Sequence, residues 1–143
     1  MPHATLVKFG YPATLLREYE HWCVLVRPAQ ATLGALVLAA KSEATAFSAL
    51  GTAAFSELGR AVGDIEASLQ KFRAFERINY LMLMMVDPHV HFHVLPRYGT
   101  VQTFDGIDFE DRGWPAAPDL KHSTALTKTQ FAALFAAIKS VWP

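Results

Sequence analysis

Residues 89–95 constrain the fold of this chain more than any other segment. They read His-Val-His-Phe-His-Val-Leu, so that His89, His91 and His93 alternate strictly with apolar residues. Because successive side chains of a β-strand point to opposite faces, this alternation predicts a strand with one imidazole face and one apolar face. An imidazole titrates near neutral pH and can attack an electrophile, exchange a proton or bind a metal. We therefore expect the imidazole face to be functional.

The pattern on either side of this strand predicts one antiparallel α+β domain over residues 1–143. Apolar runs flanked by turn residues predict three further strands, at residues 22–26, 35–39 and 78–86. Pro28 and Gly34 lie between the first two runs and favour a hairpin turn over residues 27–34. Residues 97–126 are rich in Gly, Pro and Asp and are predicted to be largely loop.

Two segments have the apolar spacing of helices. Residues 50–72 predict one long helix, with Thr52 as its N-cap. Thr127 and Gln130 have the spacing of a capping box, and the apolar stripe that follows them predicts a short C-terminal helix.

The composition favours a packed domain and excludes several classes of partner. Apolar residues make up 52% of the chain and charged residues 18%, which is typical of a globular fold. Thirteen basic residues balance thirteen acidic ones, so the sequence lacks the basic surface that polymeric nucleic acid requires. The N-terminal residues lack a signal-peptide pattern, and the longest aliphatic stretch is about half of a membrane span. We expect a cytoplasmic protein with no membrane partner, in which the lone Cys23 is a buried thiol.

Two kinds of chemistry are compatible with the imidazole face. A zinc-dependent hydrolase needs at least three protein ligands, but no acidic residue follows closely. His21 and His122 could be recruited, although nothing in their sequence context indicates it. Alternatively, a neutral imidazole can attack phosphorus and form a covalent phosphoramidate, while its neighbours contact the phosphate oxygens. The second reading uses all three alternating histidines on one face.

Residues 89–95 are similar to the His-φ-His-φ-His-φ-φ signature of the histidine triad (HIT) superfamily, in which φ is apolar. The preceding strand with Asn79, the following Pro96-Arg97 pair and the hairpin around residues 22–38 extend the resemblance to residues 20–97. Hydrolases of the diadenosine tetraphosphate type are the members that the chain most resembles. The resemblance implies a HIT-like α+β fold, with an antiparallel sheet of about five strands, one long helix and a C-terminal helix.

The resemblance also implies a function. It implies a nucleotide hydrolase or nucleotidyl transferase that acts at the α-phosphate of a dinucleoside polyphosphate, a phosphoramidate or another nucleotide conjugate. His91 would be the nucleophile and form a nucleotidyl-histidine intermediate that water resolves, while His89 and His93 would contact the phosphate. The candidate nucleotide-binding residues are Asn79, Arg27, Gln30 and Arg97.

The family's chemistry requires no cofactor or metal in many members, and many members are homodimers, for which the helix at residues 50–72 offers a surface. Arg97 could instead form a surface ion pair with Asp105, Asp108 or Glu110. A nucleotide-binding module without turnover is the alternative from a different class of protein.

One segment departs from the family. Many members carry a glycine and a polar amide shortly before the first histidine, whereas residues 82–85 here read Met-Leu-Met-Met. We expect these four residues to pack in the core, and the departure bears on substrate preference and turnover. Asn79 is the candidate for the missing amide, or else a structural residue of its strand.

Overall fold

A five-stranded antiparallel sheet organises the chain in the computed structural model, which describes residues 2–143; Met1, the first residue of the predicted domain, lies outside them. The strands of this sheet are β1 Leu15–Glu18, β2 Trp22–Val26, β3 Leu36–Ala40, β4 Arg77–Leu81 and β5 His91–Arg97. Their order across the sheet is β1-β2-β3-β5-β4. The helices are α1 Ala4–Lys8, α2 Thr52–Phe72 and α3 Lys128–Ser140, and a second hairpin consists of β6 Gln102–Phe104 and β7 Ile107–Phe109.

Both faces of the central strands are covered, which explains why β2 and β3 are apolar without interruption. Every residue of these two strands is buried. One face packs against α2 and α3, through residues such as Ile65, Leu69 and Leu134. The other face packs against Leu6 of α1 and the following Phe9. Strands buried on both sides show continuous hydrophobic runs rather than alternation.

The predicted helices are present, with one correction at a cap. Residue Gly51, in extended conformation, is the N-cap of α2, so the prediction that Thr52 caps this helix is wrong. Thr52 is already the first helical residue. At α3 the capping box is confirmed: the Thr127 hydroxyl accepts the Gln130 N–H at 3.1 Å, and the Gln130 side chain accepts the Thr127 N–H at 2.9 Å.

The predicted strand at residues 78–86 ends early. Strand β4 stops at Leu81, because the chain must turn within residues 82–90 to return antiparallel as β5. Met84 takes a φ of 51° in this turn, and Leu83, Met85 and Val86 are 49%, 82% and 85% exposed. The prediction that residues 82–85 pack in the core is therefore wrong for Leu83 and Met85, although Met82 and Met84 contact the core in part.

Other predictions are met more closely. Cys23 is a buried free thiol, as expected, and its burial raises its pKa to about 12. Residues 97–126 are irregular apart from the end of β5 and the β6–β7 hairpin. None of the helices within residues 2–143 is long and apolar enough to cross a membrane.

Candidate active site

A cleft of about 430 Å³ opens on the α1 side of the sheet and contains two of the three alternating histidines, His91 and His93. Ladder pairing places them opposite Ala39 and Val37 of β3, on the face that α1 covers. The cleft is also lined by Lys8, Phe9, Arg27, Met84, Met85 and Val86. Its volume lies in the range of small-molecule sites, which is roughly 300–1,000 Å³.

His91 begins β5 and has one fixed ring nitrogen. Its Nδ1 lies 2.6 Å from the carbonyl oxygen of His89, and since a carbonyl can only accept, Nδ1 carries the proton. In the neutral ring, Nε2 then holds the lone pair. Only 2% of His91 is exposed, and the Phe9 ring packs 5.8 Å from it between centroids. A deprotonated Nε2 is the form in which an imidazole acts as a nucleophile.

His93 lies beside His91 in an environment that favours the uncharged ring. Its ring lies 5.1 Å from that of His91, edge to face. Burial, together with the positive charge of Arg27, lowers the pKa of His93 to about 4. Its Nδ1 is buried and has no hydrogen-bond partner within residues 2–143. A buried polar atom that the protein leaves unpaired is uncommon, and such atoms occur at functional sites.

The structure separates His89 from the other two histidines. The expected triad strand of residues 89–95 begins only at His91, so the predicted start of the strand is wrong. All three histidine side chains nevertheless contact the N-terminal segment that covers this face of the sheet. The ladder ends at Val90, whose carbonyl still accepts the Ala40 N–H of β3 at 3.0 Å but whose own N–H donates to Ala44 at 3.3 Å. The His89 ring instead stacks on His3, with 4.1 Å between centroids, and its Nδ1 lies 2.8 Å from the Thr5 hydroxyl.

Two cations reach the cleft, and they differ in their partners. Lys8 forms an ion pair with Asp87 at 2.8 Å across the rim. Arg27 directly follows β2, in the segment that was predicted to form the hairpin turn. Its Nη1 donates to the Ala29 carbonyl. The Nε of Arg27 is buried without a partner in the described residues, and burial lowers the pKa of this guanidinium. Arg27 remains a cation at neutral pH and can bind an anion in the cleft.

Gln30 does not contribute to the cleft. Its side chain is fully buried, and its Nε2 donates to the carbonyls of Arg27 and Ala35 at 2.7 and 2.9 Å. Its Oε1 accepts from the N–H groups of Gly34 and Ala35 at 2.8 and 3.2 Å. These four bonds use the amide fully, so Gln30 holds the hairpin turn and has nothing left to offer a nucleotide. The predicted nucleotide contact is replaced by a structural role.

Arg97 and Asn79 lie together, but away from the histidines. Arg97 is buried and forms two hydrogen bonds with the Asp111 carboxylate, at 2.6 and 2.9 Å. A third bond, at 2.7 Å, joins its Nη1 to Asn79 Oδ1. Both residues line a separate cleft of about 530 Å³ beside Trp114. This cleft is larger than the first, but no histidine lines it.

The expected surface pair of Arg97 with Asp105, Asp108 or Glu110 is wrong, because its partner is Asp111 and both side chains are buried. The amide of Asn79 accepts from Arg97 and does not replace the amide that residues 82–85 lack. The smaller cleft is the better candidate for an active site because it holds His91 and His93.

Within residues 2–143 no group of three or more His, Cys, Asp or Glu side chains is placed to hold a metal ion. The two histidines that the sequence offered as further ligands, His21 and His122, do not line the cleft. The described side chains therefore do not assemble a zinc ligand set around His91 and His93.

Sequence reasoning missed the N-terminal residues of the site. His3, Thr5 and Phe9 contact the three histidines, yet they lie more than 75 residues from them along the chain. The one feature of the sequence that could have pointed to this segment is His3, a further histidine near the N-terminus.

Comparison with known proteins supports the fold. No protein-family model and no curated relative matches the chain. A solved histidine triad protein from Bradyrhizobium japonicum is 17% identical, with a TM-score of 0.75 over 99% of this chain and 98% of that one. A histidine triad protein from Sinorhizobium meliloti is 16% identical, with a TM-score of 0.75 over 98% and 95% of the two chains.

A hypothetical histidine triad nucleotide-binding protein from Sulfolobus tokodaii is 14% identical, with a TM-score of 0.69 over 96% of this chain and 88% of that one. At these identities the similarity establishes the fold. The predicted HIT-like fold, with its antiparallel sheet, long helix and C-terminal helix, is confirmed.

Proposed function

We propose that this chain, which has the histidine triad fold, is an enzyme that cleaves or transfers a nucleotide at its α-phosphate through His91. The hydrogen bond from His91 Nδ1 to the His89 carbonyl carries the proposal, because in the neutral ring it places the proton on Nδ1 and the lone pair on Nε2. In the first step the Nε2 lone pair forms a bond to phosphorus and the leaving group departs with the electrons of its own bond. Water or another acceptor then attacks the nucleotidyl-histidine and releases His91.

His93 and Arg27 have complementary parts in this reaction. Arg27 supplies a positive charge to the phosphate oxygens. An anion close to His93 favours its charged form, so a bound phosphate offsets the burial and the Arg27 charge that lower its pKa. His93 can then take up a proton and give it to the departing group. A neutral resting His93 therefore becomes a general acid when substrate binds.

The rim of the cleft bears on the leaving group. Leu83, Met85 and Val86 expose apolar surface there. Lys8 is already paired with Asp87, which leaves Arg27 as the principal cation for phosphate. A polyphosphate leaving group carries several negative charges and would meet a largely apolar rim, on which the Lys8 cation is already neutralised by Asp87. We therefore favour an amine or other weakly charged leaving group, as in a phosphoramidate, over a dinucleoside polyphosphate.

A nucleotide-binding module without turnover is the second candidate. This alternative is supported by the burial of His91, which is 2% exposed, and by the packing of Phe9 against both cleft histidines. In-line attack requires the phosphate to reach Nε2 of His91, and the burial of this ring restricts that access. Such a module would bind the nucleotide through Arg27 and His93 but would not consume it.

The test compares wild type, His91→Ala and the control His21→Ala, whose side chain is partly exposed and outside the cleft. Each protein is treated with a chelator and incubated with an adenosine phosphoramidate and with diadenosine tetraphosphate. Products are resolved by chromatography, and mass spectrometry is used to detect a nucleotidyl adduct on the acid-quenched protein.

Release of AMP by wild type and His21→Ala, but not by His91→Ala, supports the proposal, as does an adduct at His91. Equal release by His91→Ala overturns the nucleophile assignment. If no protein releases product but calorimetry shows that all three bind AMP, the module is favoured.

A further inference from the structure

Helix α1 brings two buried side chains, His3 and Thr5, against His89. His3 is the N-cap of α1: its Nδ1 accepts the Leu6 N–H at 3.3 Å, and its Nε2 donates to the Ala40 carbonyl at 2.7 Å. Both ring nitrogens are thus engaged, and His3 is only 4% exposed. This fixed ring lies parallel to the His89 ring, with 9° between their planes.

Thr5 holds the same histidine by its polar edge. Its hydroxyl lies 2.8 Å from His89 Nδ1, and Thr5 is 1% exposed. The His89 side chain is therefore fixed on its face by His3 and at one nitrogen by Thr5. Neither residue lines the cleft, so neither contacts a ligand bound there.

The peptide group that carries the His89 carbonyl has one other anchor, since the Val90 N–H of the same group donates to the Ala44 carbonyl in a loop at 3.3 Å. The side-chain contacts with His3 and Thr5 are the remaining restraints on this residue. His89 precedes β5 and lies outside the ladder that orients the peptide groups of His91 and His93. Its carbonyl is nevertheless the acceptor for His91 Nδ1 at 2.6 Å. A rotation of His89 about its backbone would turn this carbonyl away and free Nδ1 of its acceptor.

We propose that His3 and Thr5 are positioning residues, which hold His89 so that its carbonyl keeps the proton of His91 on Nδ1. This inference rests on the proposed nucleophilic role of His91. If the acceptor is lost, the proton can move to Nε2, and an imidazole protonated at Nε2 cannot attack phosphorus through that atom. Substitution of a group that orients a functional histidine typically costs about 10–100-fold in activity.

The experiment measures the tautomer of His91 directly. Wild type, Thr5→Val, Thr5→Ser and His3→Ala are labelled with ¹⁵N, and long-range ¹H–¹⁵N correlation spectra of the resting proteins report which ring nitrogen of His91 is protonated. Thr5→Val keeps the shape of the side chain and removes only the hydroxyl, so it avoids the folding risk of His3→Ala. Thr32→Val is the matched control, because Thr32 is 2% exposed and its hydroxyl has no partner in the described residues.

The same proteins are assayed for kcat and KM with the adenosine phosphoramidate. We expect Thr5→Val and His3→Ala to shift His91 from the Nδ1–H form towards the Nε2–H form and to lower kcat by about 10-fold or more, with little change in KM. Thr5→Ser should restore the tautomer and kcat, and Thr32→Val should match wild type.

A His91 that keeps the Nδ1–H form in both Thr5→Val and His3→Ala overturns the positioning role, whatever the activity. If the variants shift the tautomer of His91 but the wild type shows no turnover, the positioning role is supported and the proposed enzymatic function is overturned.

Discussion

The burial of an uncharged His93 makes the stability of the fold depend on pH. In the unfolded chain the pKa of His93 has its ordinary value of 6.5, whereas in the folded protein burial and Arg27 lower it to about 4. Between these two values the unfolded state binds a proton that the folded His93 does not. The free energy of unfolding must therefore fall as the pH decreases from about 6.5 to about 4, and the His93 contribution levels off below that.

The size of the effect follows from the gap between the two pKa values. At about 1.4 kcal/mol per pH unit, the gap corresponds to at most about 3–4 kcal/mol. Solvent in the cleft screens the part that comes from Arg27, so we expect about 2 kcal/mol. His93→Gln removes the titrating group and should lose this part of the pH dependence, while the control His21→Gln should keep it.

Urea unfolding of the three proteins at a series of pH values between 7.5 and 4 measures this difference, and NMR titration of the His93 ring gives its midpoint directly. The same titration with bound AMP should show a higher midpoint, because the phosphate favours the charged ring. The reasoning is refuted if wild type and His93→Gln lose the same unfolding free energy over this range, or if the ring titrates near 6.5.

Three further predictions separate structural residues from functional ones. Arg97→Ala leaves the Asp111 carboxylate buried without its partner, so urea unfolding should show a loss of about 3–5 kcal/mol, while kcat of the folded fraction stays near wild type; a selective loss of kcat would restore Arg97 as a phosphate ligand. His93→Ala should lower kcat by about 10²–10³-fold in the phosphoramidate assay, because it removes the proton donor to the leaving group; unchanged turnover would remove His93 from the mechanism. Met85→Ser should change the unfolding free energy by less than about 0.5 kcal/mol, since Met85 is 82% exposed, yet raise KM for phosphoramidates of apolar amines; an unchanged KM would argue against an apolar leaving-group rim.

The elements that the sequence predicted well are those specified by local patterns. The strands β2 and β3 are marked by short continuous apolar runs, and α2 is marked by an apolar stripe of helical period. The capping box of α3 depends on two residues only three positions apart, Thr127 and Gln130. The Asp105-Gly106 pair is also a local signal: both residues take positive φ, of 52° and 76°, in the turn between β6 and β7. An Asp-Gly pair between apolar residues is typical of such a hairpin, and the prediction of loop there overlooked it.

The predictions that failed concern residues whose surroundings are set by the course of a loop or turn rather than by a local sequence pattern. Arg97 has several acidic residues within reach along the sequence, and only the course of the segment after β7 selects Asp111. Residues 82–85 look like core because they are apolar, but the turn into β5 exposes Leu83 and Met85 at the mouth of the cleft. The apolar character of these residues shows that they can be buried, but the path of the backbone decides whether they lie in the core.

The three histidines show the limit of periodicity as a guide to function. Their alternation predicts three side chains on one strand face, but the ladder includes only His91 and His93. His89 contacts the His91 ring through its carbonyl oxygen, an atom that every residue type possesses. The side chain of His89 is the part that requires a histidine, because its ring stacks on His3 and forms a hydrogen bond with Thr5. If those contacts orient the carbonyl, the first histidine of the row serves the reaction by holding the second in its reactive tautomer.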